Sequence, residues 1–264
     1  MTRPPPPGAA DARPASPDAG PAGERLAKRL ARMLPCSRSE AERYIEAGYV
    51  TVDGVVVDVP QCRVLDQTVA LSPDASLAPA VPVTLLLHKP PGIDATGDAP
   101  AAALALLEPA RRFEGDASGV RLLARHLARQ RCLTPLETAA GGLLVFSQDP
   151  RVERKLLEDA ATIEHETMIE VIGPVTPEAL AVLARPAVQR GRVLPAAKVS
   201  ISRQSGDTTG LRFAAKGHLP GRIEQACETA GLRVTAIRRT RIGRVPLSGL
   251  PAGQWRYLLE SERF

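Results

Sequence analysis

Large apolar side chains are nearly absent from residues 1–22 and then return in two distinct rhythms. Leu26, Leu30, Met33 and Leu34 recur at helical spacing among Arg and Lys, which predicts an amphipathic helix ended by Pro35. Ser37, with Glu40 three residues on, has capping-box spacing and opens a second helix that runs to Gly48. Short strands are predicted at 49–52 and 55–57, joined through Asp53-Gly54, a strong hairpin signal. Residues 72–82 carry three prolines among Ser, Asp and Ala and read as a linker.

Beyond the linker, an apolar strand at 83–87 is stopped by Pro90-Pro91-Gly92. A short helix near 101–107 and a basic segment at 111–131 follow. Strands are then expected at 143–147, 162–172, 199–202, 211–213 and 234–242. Helices are expected at 150–159, 175–183 and 221–229, with a last short helix or strand at 252–259. Strands and helices of uneven length without regular βαβ spacing predict an α/β (α+β) chain built on a mixed, mainly antiparallel sheet. The expected organisation is a disordered tail at 1–22, a small domain at 24–71, a linker at 72–82 and a large domain at 83–264.

Composition narrows the function classes. The 264 residues are 44% apolar, enough for a core, and the formal charge of +5 favours an acidic partner such as nucleic acid. No apolar run reaches membrane-spanning length and no secretory leader is evident, so the expected compartment is the cytoplasm. Cys36, Cys62, Cys132 and Cys227 form no Cys-x-x-Cys pair and the four histidines are isolated. No metal site is expected, and reduced, buried thiols are.

The segment Leu133-Thr134-Pro135-Leu136-Glu137-Thr138-Ala139-Ala140-Gly141-Gly142-Leu143-Leu144 places a single carboxylate on a loop that enters a buried strand through two glycines. Glycines permit close backbone approach, and the strand would hold the loop rigid. Glu137 is therefore the candidate catalytic group. In the N-terminal segment, Arg25, Lys28, Arg29, Arg32, Ser37, Arg38 and Arg43 form the candidate RNA-binding face, because guanidinium forks and ammonium groups neutralise phosphates.

The stretches Arg25-Leu26-Ala27-Lys28-Arg29-Leu30, Cys36-Ser37-Arg38-Ser39-Glu40-Ala41 and Ala47-Gly48-Tyr49-Val50-Thr51-Val52-Asp53-Gly54 resemble the S-four RNA-binding domain. Asp53 stands where that domain usually has Asn. Followed in order by Leu87-His88-Lys89-Pro90-Pro91-Gly92, the Glu137 segment, Arg239-Thr240-Arg241-Ile242-Gly243 and Leu250-Pro251-Ala252-Gly253-Gln254-Trp255-Arg256, the chain resembles the ribosomal RNA pseudouridine synthases that carry an N-terminal S-four domain. The resemblance implies a pseudouridine-synthase-like fold, no cofactor, and structured RNA, ribosomal RNA or a ribosome precursor, as partner, with no DNA. It implies a catalytic Asp acting at the ribose of an extruded uridine, and it places Lys89, Thr167 and Arg222 along the active site.

The family pattern is altered at the chemistry. Glu137 occupies the Asp position, Pro135 the Arg and Ala140 the Thr of the loop motif. Thr167, after Glu164-His165-Glu166, stands where a Tyr usually lies against the base. The basic Asn-Arg-Gln-Ile-Arg-Arg segment appears as Pro220-Gly221-Arg222-Ile223-Glu224-Gln225. Two readings follow: an RNA-binding relative with lost or much reduced catalysis, or an active synthase that uses Glu137 as nucleophile.

Overall fold

The structure, a computed structural model, describes residues 23–79, 81–189, 192–217 and 220–264; the tail expected at 1–22, and His218, lie outside them. The chain divides into two compact units, Met1–Ala78 and Pro79–Phe264.

In the first unit, helix α1 (Leu26–Met33) and helix α2 (Arg38–Glu46) pack on a small antiparallel sheet of β1 (Val50–Val52), β2 (Val55–Val56) and β3 (Val69–Leu71). The apolar stripe goes inward: Leu26, Leu30, Ala41, Ile45, Val50 and Val64 are almost fully buried in one cluster. Burying each large aliphatic side chain stabilises the unit by about 1.5–3 kcal/mol. Ser37 forms the capping box with Glu40, and Asp53 and Gly54 both take positive φ, as the tight hairpin turn requires.

The second unit is built on a mixed sheet. Its main strands are β4 (Thr84–Lys89), β5 (Gly141–Ser147), β6 (Glu164–Ile172), β7 (Lys198–Ser205), β8 (Thr208–Lys216), β9 (Arg233–Ile242) and β10 (Trp255–Tyr257), in the spatial order β7-β8-β6-β9-β5-β4-β10. Every adjacent pair is antiparallel except β9 with β5. That parallel seam is short, pairing Arg238 with Gly141 and Arg239 with Gly142. Helix α3 (Pro150–Leu157) buries Leu156 with Leu86, Leu143 and Val145 on one face of the sheet. Helices α4 (Pro177–Ala184) and α5 (Arg222–Thr229) cover the other face, through Ala179, Leu183 and Cys227 against Ile169, Val171, Leu211 and Phe213. Strand β6 alternates strictly, its odd-numbered residues 165–171 buried and its even-numbered ones half-buried.

Several sequence expectations are corrected. Of the two forms expected at 252–259, helix or strand, the chain takes the strand, because β10 pairs with β4. Ala187–Gln189 and Arg192–Leu194 pair as an additional hairpin. Cys36 and Cys62 are half-buried, whereas Cys132 and Cys227 are buried; all four are free thiols.

The seam tolerates no side chain at Gly142, whose φ is 110° and where a Cβ would collide with the backbone oxygen and nitrogen of Arg239. Gly142→Ala is expected to lower unfolding stability by on the order of 3 kcal/mol, since strain and overpacking add. Urea denaturation checks it, and an unchanged midpoint would mean that β5 and β9 do not approach this closely.

Candidate active site

The Glu137 loop is fixed from below. Leu133 donates its N–H to the Val145 carbonyl (2.9 Å), the Thr134 hydroxyl accepts the Val145 N–H (2.9 Å), and Leu136 donates to the Ala95 carbonyl (3.1 Å). Two cations then bind backbone carbonyl oxygens in and around the loop. Arg239 is fully buried and donates to the carbonyls of Leu143 (2.8 Å), Thr134 (2.5 Å) and Pro135 (3.4 Å). Lys89, also fully buried, donates to the carbonyls of Pro90 (3.2 Å), Ile93 (2.7 Å) and Thr138 (3.2 Å). Burial pulls Arg239 down to about 10 and Lys89 down to about 8, offset in both by the negative charge of Glu137. Lys89 therefore braces the loop from beneath instead of lining the cleft.

Above the loop lies a narrow cleft with about 20 Å³ of free space. Its walls combine Leu136, Phe213, Ile223 and Ile237 with the polar side chains of Glu137, His165, Thr167, Arg222 and Glu224. The structure thus brings Glu137, Thr167 and Arg222 together, and adds His165 and Glu224. Thr167 and His165 arrive by the alternation of β6, and Arg222 and Glu224 by the first turn of α5.

Glu137 is half-buried and accepts a hydrogen bond from the backbone N–H of Gly221. Gly221 sits at φ 79° as the N-cap of α5, a left-handed conformation that suits glycine. The carboxylate so occupies one of the unsatisfied donors of a helix start, a favourable place for negative charge. It forms no ion pair among the described residues. Glu224, in the same helical turn, holds its proton more tightly than an ordinary carboxyl, first because of burial and second because of the charge on Glu137.

A raised native value means that folding loses stability as pH rises from the unfolded value near 4.5 through the native one, and the penalty persists above it. Glu224→Gln is accordingly expected to raise the melting temperature at pH 7.5 by about 1–2 °C, with the gain disappearing near pH 4. Paired thermal melts at the two pH values check this, and a gain that is equal at both would remove protonation as its cause.

The basic face of the first unit sorts into exposed cations and committed ones. Arg25, Lys28, Arg32 and Arg38 are exposed. Lys28 (3.8 Å) and Arg32 (3.0 Å) pair with Glu24, and Arg38 (3.4 Å) with Glu42, all partly solvated contacts. Such pairs contribute little stability, so their cations remain open to phosphate. Arg29 instead donates to the carbonyls of Leu65 and Gln67, Arg43 donates to the Leu77 carbonyl, and the Ser37 hydroxyl is engaged in the cap. Arg29 is half-buried, whereas Arg43 and Ser37 are exposed while making these bonds within the unit.

Among the described residues no group of His, Cys, Asp or Glu has the arrangement of a metal site, and no helix is long and apolar enough to cross a membrane. Functional residues missed from the sequence were chiefly Arg239 and Phe213. Residues 234–242 hold Arg238, Arg239 and Arg241, and the local pattern does not set Arg239 apart from the other two.

Residues 24–67 match the S4 domain family. An uncharacterised RNA pseudouridine synthase of Aquifex aeolicus is 27% identical over 90% of this chain and 94% of its own length. The dual-specificity RNA pseudouridine synthase RluF of Salmonella typhi is 27% identical over 90% of this chain and 76% of its own. Ribosomal large subunit pseudouridine synthase B of Escherichia coli is 26% identical over 88% and 78% respectively. The crystal structure of a pseudouridylate synthase superposes with a TM-score of 0.55 over 90% of this chain and 96% of that one; at 18% identity this speaks to a common fold. Domain order, fold and relatives converge along nearly the whole chain, which is similar throughout to the RNA pseudouridine synthases that carry an S4 domain.

Proposed function

We propose that this chain works in the cytoplasm as an RNA-binding member of its family, holding structured ribosomal RNA or a ribosome precursor, with uridine isomerisation lost or much reduced. The observation that carries the reading is the pairing of Glu137. A carboxylate that must act on a ribose carbon needs a defined position and a cationic neighbour to keep it ionised in a desolvated cleft. Here it accepts the Gly221 N–H, forms no ion pair among the described residues and faces the second carboxyl of Glu224. The buried cations nearby, Arg239 and Lys89, are engaged with backbone carbonyls. Thr167 offers no flat face on which an extruded base would stack, a contact worth about 1–3 kcal/mol.

One observation favours the alternative, an active synthase with Glu137 as nucleophile: the carboxylate is presented to the cleft and stabilised by a helix N-terminus. Mapping pseudouridines in ribosomal RNA from cells with and without the protein separates the two. Identical maps, together with ribosomal RNA co-purifying with the full chain, are expected; a site that disappears with the protein would establish the synthase.

A further inference from the structure

The alternation of β6 that turns Thr167 toward the cleft turns Met168 and Glu170 to the reverse of the sheet. On that side α3 packs over Leu86, Leu143 and Val145, and a groove with about 520 Å³ of free space crosses the face from His88 on β4 to Ser202 on β7. Its floor is low, with Gly141, Ala236 and Gly210 contributed by β5, β9 and β8. Crossing from β4 to β7 spans five inter-strand gaps, roughly 24 Å at about 4.8 Å each. The free volume over that length leaves a cross-section of about 20 Å², which admits one polymer strand and excludes a duplex.

Charge decides what that strand is. Arg203 pairs with Glu170, Arg212 with Glu166 (2.8 Å), and Arg241 with Glu164 (2.6 Å) and Glu166 (3.2 Å), so each carboxylate that β6 presents on this face already has a guanidinium. Arg233 and Arg238 stand opposite Ile172 and Met168 and share the face; both are exposed and form no ion pair among the described residues. The excess is therefore positive, and solvated pairs of this kind hold their guanidiniums weakly. A protein partner would call for large apolar or aromatic anchors, whereas this floor is glycine and alanine. At the β4 end the His88 ring, fixed because Nδ1 donates to the Leu250 carbonyl (2.7 Å), offers a nucleobase a flat face.

We propose that the reverse face of the large sheet is a second RNA-contact surface, its groove holding an unpaired RNA strand whose phosphates pair with Arg203 and Arg238. The proposal rests on the RNA-binding reading for the class of partner. The residues it uses are separate from the basic face of the first unit and from the Glu137 cleft.

Fluorescence anisotropy on the full chain tests it, with a labelled uridine oligomer about ten nucleotides long and a blunt RNA duplex as comparison. Joint Arg203→Glu and Arg238→Glu replacement is expected to weaken oligomer binding about tenfold or more and to leave duplex affinity unchanged. The slope of log affinity against log salt should fall by roughly 1.4, near 0.7 for each phosphate released by a single strand. Arg238→Gln alone removes a side chain that forms no ion pair in the fold, so it should melt as the wild type does while lowering the slope by about 0.7. Benzoylphenylalanine placed at Ser202, in the groove, should photocrosslink to the oligomer, and the same group at Glu228, on α5 across the sheet, should not. Oligomer binding that is absent, that both variants leave unchanged, or that crosslinks at 228 and not at 202 would overturn the proposal. Displacement by polyglutamate as effective as by unlabelled RNA would overturn it too, since the face would then be a site for acidic protein. Filter binding of a structured ribosomal RNA fragment on the same preparations keeps the two readings apart. Fragment binding without oligomer binding sinks the groove alone; Arg238-dependent oligomer binding without fragment binding leaves the groove standing and removes the structured-RNA role.

Discussion

Purified protein is expected to make no detectable pseudouridine on naked or assembled ribosomal RNA, and Glu137→Asp alone to leave it silent. An extra methylene moves the carboxylate by about 1 Å, a misplacement that costs on the order of a hundredfold where positioning supplies the catalysis. Loss of a stacking face at Thr167 removes about 1–3 kcal/mol more. Together these place the rate roughly a thousandfold or further below that of an intact site, before the missing cation is counted. Shortening Glu137 also surrenders the Gly221 hydrogen bond without supplying a guanidinium, and groups that act as a unit are not restored one at a time. Activity is expected to rise only when Glu137→Asp is combined with Thr167→Tyr and Glu224→Arg. Quantifying pseudouridine by mass spectrometry of RNA digests checks the series. Wild-type turnover abolished by Glu137→Ala would establish the synthase, and a gain from Glu137→Asp alone would show that the rest of the cleft is competent.

Removing the exposed cations of the first unit should have the other large effect. Arg25, just before α1, and Lys28 and Arg38, on α1 and α2, are exposed, so their joint replacement by Ala is expected to lower affinity for structured RNA about a hundredfold at moderate salt. The slope of log affinity against log salt should fall by roughly 2–3, near 0.7–0.9 for each phosphate that is no longer neutralised. Arg29→Ala should behave differently. Its guanidinium holds the Leu65 and Gln67 carbonyls, so the variant is expected to melt lower while a folded fraction retains the parent slope. Salt titrations of binding on the three proteins decide this, and an unchanged slope in the triple variant would move the RNA interface elsewhere.

Local rules were sufficient for much of the architecture. Period 3.6 marks α1, period 2 marks β6, and Ser37 with Glu40 caps α2 through atoms three residues apart. The placement of a lone carboxylate before two glycines was likewise legible, because Gly142 is required by its own backbone and by β9. Strands β7 and β8 were underestimated at 199–202 and 211–213 because polar residues such as Ser, Arg and Thr extend them, and those residues are held by ladder bonds to neighbouring strands. The roles of the charged residues came only from the fold. Lys89 reads as a cleft residue, yet it is buried beneath the Glu137 loop; Arg29, Arg43 and Ser37 read as RNA ligands, and each also bonds a group of its own unit. An irregular loop leaves carbonyls that no helix or strand satisfies, and which cation reaches them depends on chain segments far apart in sequence, as Arg239 does in bonding the Thr134 carbonyl. The sequence by itself therefore determined the elements, their order and the carboxylate at the centre. Tertiary structure decided which charges face the cleft and which are buried beneath it, because desolvation and hydrogen-bond satisfaction are set by neighbours that local pattern does not contain.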